Sequence, residues 1–337
     1  DHRDLHSFPT RRSSDLRTEL NIGKDLIAFA DMQFRNISYN LIGEDKDFVA
    51  LDYNMDYNFF NPKLGLTYNA GANKLYLSAS TGRKEPGRAD IKESIKAGKA
   101  NLIRAERLLD FEAGYSFTGK NLILSANLYF MEYKDQLVPT GRLSETGYVI
   151  KENVPVSFRR GVELAAAWSP LTYIKIEGNL ALSMNKIKDY RHWTDLYDNP
   201  DYWTPLPQMS EFYKSTNLPF SPSSVGMGMV TFSPGSSSSV SLYGKHVGKQ
   251  YYDNTSNEER SIPSYFVMGI KAIKSFSVRE VSDLELGLFV DNILNRKYFS
   301  NAWVYMAKFA DGSDPYIEEG LYPQAGINFM FKATFRF

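Results

Sequence analysis

The chain contains no cysteine, which excludes disulfides and thiolate metal sites. It has only four histidines, His2, His6, His192 and His246, and apart from His2 and His6 near the start no two of them have the spacing of a metal-ligand pair. Net charge is missing as well: Lys+Arg and Asp+Glu are both 39, so no overall field draws in nucleic acid or an anionic surface. Mean hydropathy is negative, and no apolar run approaches the roughly 20 residues a membrane helix needs. That absence excludes helical spans only, because half of every membrane β-strand is polar. There is no glycine-rich phosphate loop or nucleotide motif. Residues 1–16 have neither the apolar core of a signal peptide nor strand alternation, and they resemble adapter read-through sequence. Residues 1–24 are therefore expected to be a disordered or artefactual leader, with the true N-terminus missing.

What is present is period-2 alternation. From Ile327 to Phe337 the odd positions read Ile327, Phe329, Phe331, Ala333, Phe335 and Phe337, and the even ones Asn328, Met330, Lys332, Thr334 and Arg336. Successive side chains of a strand point to opposite faces, so one face is apolar and the other carries two cations. Twelve segments show such alternation or β-rich composition: 25–39, 59–68, 74–81, 107–118, 121–133, 157–168, 172–184, 224–233, 239–249, 264–275, 283–294 and 325–337. In 121–133, for example, Leu122, Leu124, Ala126, Leu128 and Phe130 oppose Ser125, Asn127 and Tyr129. Aromatics make up 14% of the chain, which suits interfacial girdles.

Connections alternate between short ones rich in Gly, Pro, Asn and Ser, such as Asn69–Asn73 and Pro234–Ser238, and long ones at 40–58, 82–106, 134–156, 185–223, 250–263 and 295–324. A soluble sandwich has no reason to keep its short turns at one end, whereas an outer-membrane barrel has short periplasmic turns and long extracellular loops. The expected fold is all-β, an antiparallel transmembrane β-barrel whose apolar face meets lipid. In hydrocarbon every backbone N–H and C=O needs an internal partner, so such a sheet must close on itself.

Catalysis needs a base beside a nucleophile, usually a histidine held by a carboxylate. His2 and His6 fall in the leader, His246 shares parity with Val240 and Leu242 as a membrane-interface residue, and His192 is expected to be a loop contact. No enzyme and no bound cofactor or metal is expected. Binding is another matter. The 185–223 loop carries His192, Trp193, Tyr197, Tyr202, Trp203, Phe212 and Tyr213 among four aspartates, and exposed loop aromatics either recognise a ligand or fold the loop on itself. Arg83, Lys84 and Arg88 follow the strand at 74–81 and either hold an anionic ligand at the lumen mouth or pair with Glu85, Asp90 and Glu93. Asp31, Gln33 and Arg35 share the face expected to line the lumen. Arg83, Arg88, His192, Trp193, Tyr202, Trp203, Tyr251 and Tyr252 are the candidate ligand contacts.

The segments in sequence resemble the barrel portion of TonB-dependent outer-membrane receptors, particularly those of Bacteroidetes. The resembling stretches include Ala30–Arg35, Phe60–Leu66, Arg83–Arg88, Glu106–Tyr115, Asn127–Leu137, Phe158–Glu163, Val247–Tyr252, Val290–Tyr298 and Tyr322–Gly326. The resemblance implies a barrel of about 22 strands with a plugged lumen, of which about 12 are present here, so the chain over 25–337 is expected to be an incomplete barrel lacking its plug. It further implies the bacterial outer membrane as location and outer-membrane lipid as surroundings. A TonB complex is implied as partner, acting through the missing plug and TonB box. The implied function is energy-coupled uptake of a scarce ligand such as an iron chelate, haem, cobalamin or a glycan. A passive porin, a barrel hydrolase and a soluble β binding or adhesion domain remain open alternatives.

Overall fold

The computed structural model describes residues 10–44, 50–96, 103–143, 148–278 and 281–336. In chain order its first half comprises β1 (Thr10–Ile22), β2 (Leu26–Glu44), β3 (Ala50–Ala70), β4 (Asn73–Lys84), helix α1 (Arg88–Lys96), β5 (Glu106–Thr118), β6 (Leu122–Leu143), β7 (Val149–Leu171) and β8 (Ile174–Tyr197). Then follow β9 (Pro205–Asn217), β10 (Ser224–Gly235), β11 (Ser238–Val247), β12 (Gln250–Tyr251), β13 (Ser261–Ile262) and β14 (Tyr265–Val278). The chain continues through β15 (Val281–Asp291), β16 (Phe299–Phe309), β17 (Tyr316–Pro323) and β18 (Asn328–Arg336). One sheet runs β1-β2-β3-β4-β5-β6-β7-β8-β10-β11-β14-β15-β18, with β9, β16 and β17 attached near the distal end of β8. Every pairing along that path is antiparallel, and among the described residues β1 and β18 have no partner on their outer edges.

The register sets apolar positions of neighbouring strands side by side. Leu66 faces Leu77, Leu77 faces Ala113, Ala113 faces Leu128, and Leu128 faces Val162. Further on, Ile176 faces Val230, Val230 faces Leu242, Leu242 faces Ile270, Ile270 faces Val290, and Val290 faces Phe329. This band does not close into a dry centre: Leu128 is 58% exposed and Phe329 80%. The other face is polar. Gln33 Nε2 donates to Asp15 Oδ1 at 2.9 Å, Asn61 donates to Gln33 at 3.1 Å, and the Tyr76 hydroxyl donates to Asn127 at 2.8 Å. Gly114 makes room for the Tyr76 ring, since a Cβ there would lie 2.0 Å from it.

All twelve expected segments lie on strands of the main path, and the turns at 71–72, 119–121, 172–173 and 236–237 fall at one end. Two expectations change. Residues 10–22, read as part of a leader, run along β2 from Thr10 opposite Ser38 to Ile22 opposite Leu26. Their second half does alternate, with Leu16, Thr18, Leu20 and Ile22 against Asp15, Arg17, Glu19 and Asn21. The strand is exposed on both faces and held by its ladder to β2. Much of the expected long loops is also strand: β2 continues to Glu44, β3 begins at Ala50, and β8 runs on to Tyr197. Beyond the apolar band the apolar positions change face, so a single alternation fades while the backbone ladder continues. Phe337 and residues 279–280, within the short connection expected at 276–282, lie outside the described residues.

The buried cores sit in these distal halves. Ile37, Tyr39 and Phe59 form one cluster, and Leu41 with Ile91 and Ile95 of α1 forms a second. A third gathers Val138, Val154, Ile187, Tyr190 and Leu218. On β2 the apolar positions thus change face, from Met32 and Phe34 in the band to Ile37, Tyr39 and Leu41 on the opposite parity.

Candidate functional site

Above the third cluster, the distal ends of β6 and β8, the 248–264 connection and β16 surround a cavity of about 290 Å³. Its apolar wall is formed by Tyr190, Phe220, Tyr252, Trp303 and Val304, and its polar groups come from Arg142, His192, Asp253, Asn254 and Arg260. Local backbone fixes this arrangement. Gly141 has φ +89°, and a Cβ there would come within 2.2 Å of the His192 ring. Tyr190 lies 3.1 Å from His192 Nδ1, and its hydroxyl also reaches the Pro139 carbonyl at 2.9 Å. Asn254 Nδ2 donates to the same carbonyl at 2.8 Å. Asp253 and Arg260 form a nearly buried ion pair at 2.6 Å, and Asp253 also accepts from the Thr255 backbone N–H and hydroxyl.

Burial pushes the His192 imidazole below its ordinary pKa; Asp253 opposes the shift and Arg260 adds to it. The ring is therefore neutral in neutral solution, able to donate from one nitrogen and accept at the other. Two buried polar atoms on the cavity wall, Asn254 Oδ1 and Arg142 Nε, have no hydrogen-bond partner. Arg142 also lines a second, more polar cavity of about 270 Å³ beside α1, with Glu93, Arg104 and Asn153.

The eight residues singled out in the sequence do not form one site. His192 and Tyr252 line the cavity, both buried. The Tyr252 hydroxyl donates to Glu319 at 2.6 Å. Trp193 stands beside it with the Arg142 guanidinium 5.7 Å from its ring. Trp203 folds the loop: at φ +53° it packs among Tyr197, Phe309 and Tyr316, with centroids 4.9, 5.0 and 5.1 Å away. Tyr202 next to it is 80% exposed. Its turn is held by Asn199 Oδ1, which accepts from the Asp201 and Tyr202 backbone N–H groups. Asp198, whose carboxylate accepts from Thr204 and Asn199, is held below the usual carboxylate range chiefly by the Thr204 hydrogen bond. Tyr251 is outside the cavity and donates to Glu258 at 2.7 Å.

Arg83 and Arg88 are both exposed. Their expected carboxylate partners are taken by other cations: Glu85 by Arg35 and Arg11, Asp90 by Lys151, and Glu93 by Lys92 and Lys96. Arg83 follows the parity of Leu75, Leu77 and Ala79, which puts it on the outer face rather than at the lumen mouth. His246 lies 3.2 Å from Ser224 Oγ, but among the described residues no carboxylate holds its other nitrogen. No group of three His, Cys, Asp or Glu positioned to hold a metal occurs among the described residues. The sequence does not single out Arg142, Asp253, Asn254 and Arg260, because Arg142 at the end of β6 meets the 248–264 connection only in the folded chain, more than 100 residues away; the Gly141-Arg142 pair is the one local signal.

Residues 19–293 match a family profile described as "TonB dependent receptor-like, beta-barrel". The chain is similar in structure to the ferric-catecholate import receptor Fiu from Escherichia coli K12, with a TM-score of 0.63 and 13% identity over 98% of this chain and 45% of that one. It is similar to the ferric citrate transporter FecA in unliganded form, at TM-score 0.71 and 18% identity over 98% of this chain and 45% of that one. A copper transporter, OprC, gives TM-score 0.71 and 14% identity over 96% of this chain and 47% of that one. At such identities the likeness shows the fold alone, and the chain spans less than half the length of these structures. No curated protein sequence matches it.

Proposed function

Because this chain belongs to the TonB-dependent receptor-like β-barrel family, we propose that it forms part of an outer-membrane receptor that captures a scarce small molecule at its outer mouth and passes it inward in an energy-coupled step. The observation that carries this reading is the cavity at the distal end of β8. Ligand sites pair apolar walls with a few placed polar groups, and here Asn254 Oδ1 and Arg142 Nε stand unsatisfied between aromatic walls. Leaving such groups unmet costs about 1–3 kcal/mol each, so a ligand offering one donor and one acceptor recovers that energy on binding. His192, Trp193 and Tyr252 line or flank the pocket. Tyr202 is the exposed first contact, Arg88 and Tyr251 offer a cation and a ring outside the cavity, and Trp203 is the scaffold that holds the loop. Iron chelates lead the ligand classes because two of the structural neighbours are ferric-chelate proteins; haem, cobalamin and glycans remain within the reading.

The unpartnered edges of β1 and β18 fit a working unit that closes the sheet with further strands, since an open edge in hydrocarbon leaves backbone groups unsatisfied. Energy coupling assigns the TonB complex as partner, acting through a plug domain. Uptake of labelled ferric chelates by cells carrying the whole receptor tests the reading. Accumulation should stop when the proton gradient is collapsed and fall when Asn254→Leu and Arg142→Leu are combined. Accumulation indifferent to the gradient would identify a passive pore instead.

A further inference from the structure

The outer face above the apolar band carries cations that nothing in the described chain neutralises. Along β4, β5 and β6, Arg83 faces Arg107 and Arg107 faces Lys134, three like charges directly opposite one another across two strand pairs. The same row continues through Val156 to Lys188 on β8. One row nearer the band lies Lys186, opposite Phe158, and one row nearer still Arg160, between Phe130 and Met184. Like charges facing each other across strands repel, yet none of these six cations lies within 4.0 Å of a carboxylate in the ion pairs of the described residues. Glu132, opposite Leu109 and Phe158, is the one carboxylate in these rows.

The patch is built, not loose. The Arg160 guanidinium sits 4.1 Å from the Phe130 centroid and 4.2 Å from that of Phe158, and the Lys188 ammonium reaches the same Phe158 ring at 5.8 Å. Phe158 is thereby buried on a face that elsewhere exposes its apolar side chains. Directly below, Ala79, Phe111, Phe130, Ala113 and Leu128 border an apolar trough of about 860 Å³ on the same face. A held row of cations immediately above a greasy trough complements a molecule with a phosphate-bearing head and hydrocarbon tails. We propose that this face binds a phosphorylated lipid of the surrounding membrane leaflet, its phosphates on Arg83, Arg107, Lys134 and Arg160 and its chains along the trough. The inference rests on the membrane reading of the outer face, not on which ligand the mouth takes.

The test places the whole receptor in phosphatidylcholine bilayers doped with spin-labelled phosphatidic acid, or with spin-labelled phosphatidylcholine as control, and measures the protein-restricted fraction. The wild type should favour phosphatidic acid, and rising salt should weaken the preference. Each cation removed should cost about fivefold in relative affinity, so Arg83→Gln, Arg107→Gln and Lys134→Gln together should abolish it, while Arg83→Lys with Arg107→Lys should keep it. Arg107→Gln alone, with its single step, serves if the triple variant does not fold. Equal affinity for the two lipids in the wild type, or an undiminished preference in the folded variants, overturns the proposal. Full displacement of the lipid by inorganic phosphate would reassign the patch to a free anion and overturn it likewise. Failure to insert into either bilayer removes this inference and the proposed function together; insertion without lipid preference removes this inference alone.

Discussion

The two halves of the long strands β2 to β8 share one backbone ladder and solve opposite problems. In the turn-proximal half the apolar side chains stand outward and exposed, as Leu77 and Leu128 do, while hydrogen-bonded polar groups such as Gln33, Asn61 and Asn127 fill the other face. In the distal half the apolar side chains turn inward and disappear: Ile37, Ile187 and Tyr190 are essentially inaccessible. Burial of apolar surface in a protein interior stabilises the distal half in water, whereas the proximal half is satisfied only if hydrocarbon supplies the apolar surroundings. The pattern along a single strand therefore marks where the solvent changes, and the candidate site lies on the watery side of that boundary.

Breaking the distal half at its charged joint should have the largest effect. Arg260→Met leaves Asp253 buried and uncompensated, a loss of about 3–5 kcal/mol. Hydrogen exchange over 250–262 should report it, and adding Asp253→Leu should restore much of the protection. In the proximal half, Leu128→Arg should cost about 2–4 kcal/mol for the receptor in a bilayer, measured by reversible denaturant unfolding. A face bathed in water would register within about 0.5 kcal/mol. Milder substitutions sharpen the contrast: Ile187→Val should cost about 1 kcal/mol through lost packing, while Leu77→Ile, on the outer face, should leave unfolding unchanged.

The smallest effect is that of pH. Because burial lowers the His192 pKa, the unfolded mouth binds more protons than the folded one below the ordinary value of 6.5. The stability of the mouth is thus fully present above that value and falls as the solution is acidified through it. Exchange protection of the His192 segment should drop on acidification, and His192→Gln should flatten that dependence. Glu211, held below its ordinary 4.5 first by its hydrogen bond from Lys308, adds a loss of the same sign at lower pH.

The sheet was legible in the sequence because a strand with lipid on one side and water on the other must alternate. Where that constraint ends, so does the signal. β9 opens with Pro205 and Pro207 and reads as loop, and β16 presents Trp303, Tyr305, Met306 and Ala307 without alternation because it packs against the distal end of β8. β1 is not legible, because Arg11, Arg12, Ser13 and Ser14 mask the alternation that follows. Of the site, His192 and Tyr252 could be singled out as loop residues of the right chemistry. Asn254 could not, since its significance lies in the Pro139 carbonyl it bonds, 115 residues away.

The absence of native cysteine makes the central claim directly measurable. Single cysteines placed in turn from Leu122 to Phe130, nitroxide-labelled in the bilayer-embedded receptor, can be read for collisions with oxygen against a water-soluble nickel chelate. Oxygen contact should peak at Leu122, Leu124, Ala126, Leu128 and Phe130, with nickel contact at Ser125, Asn127 and Tyr129 between them. Uniform contact with the nickel chelate along the strand would show that water, not lipid, covers the apolar face.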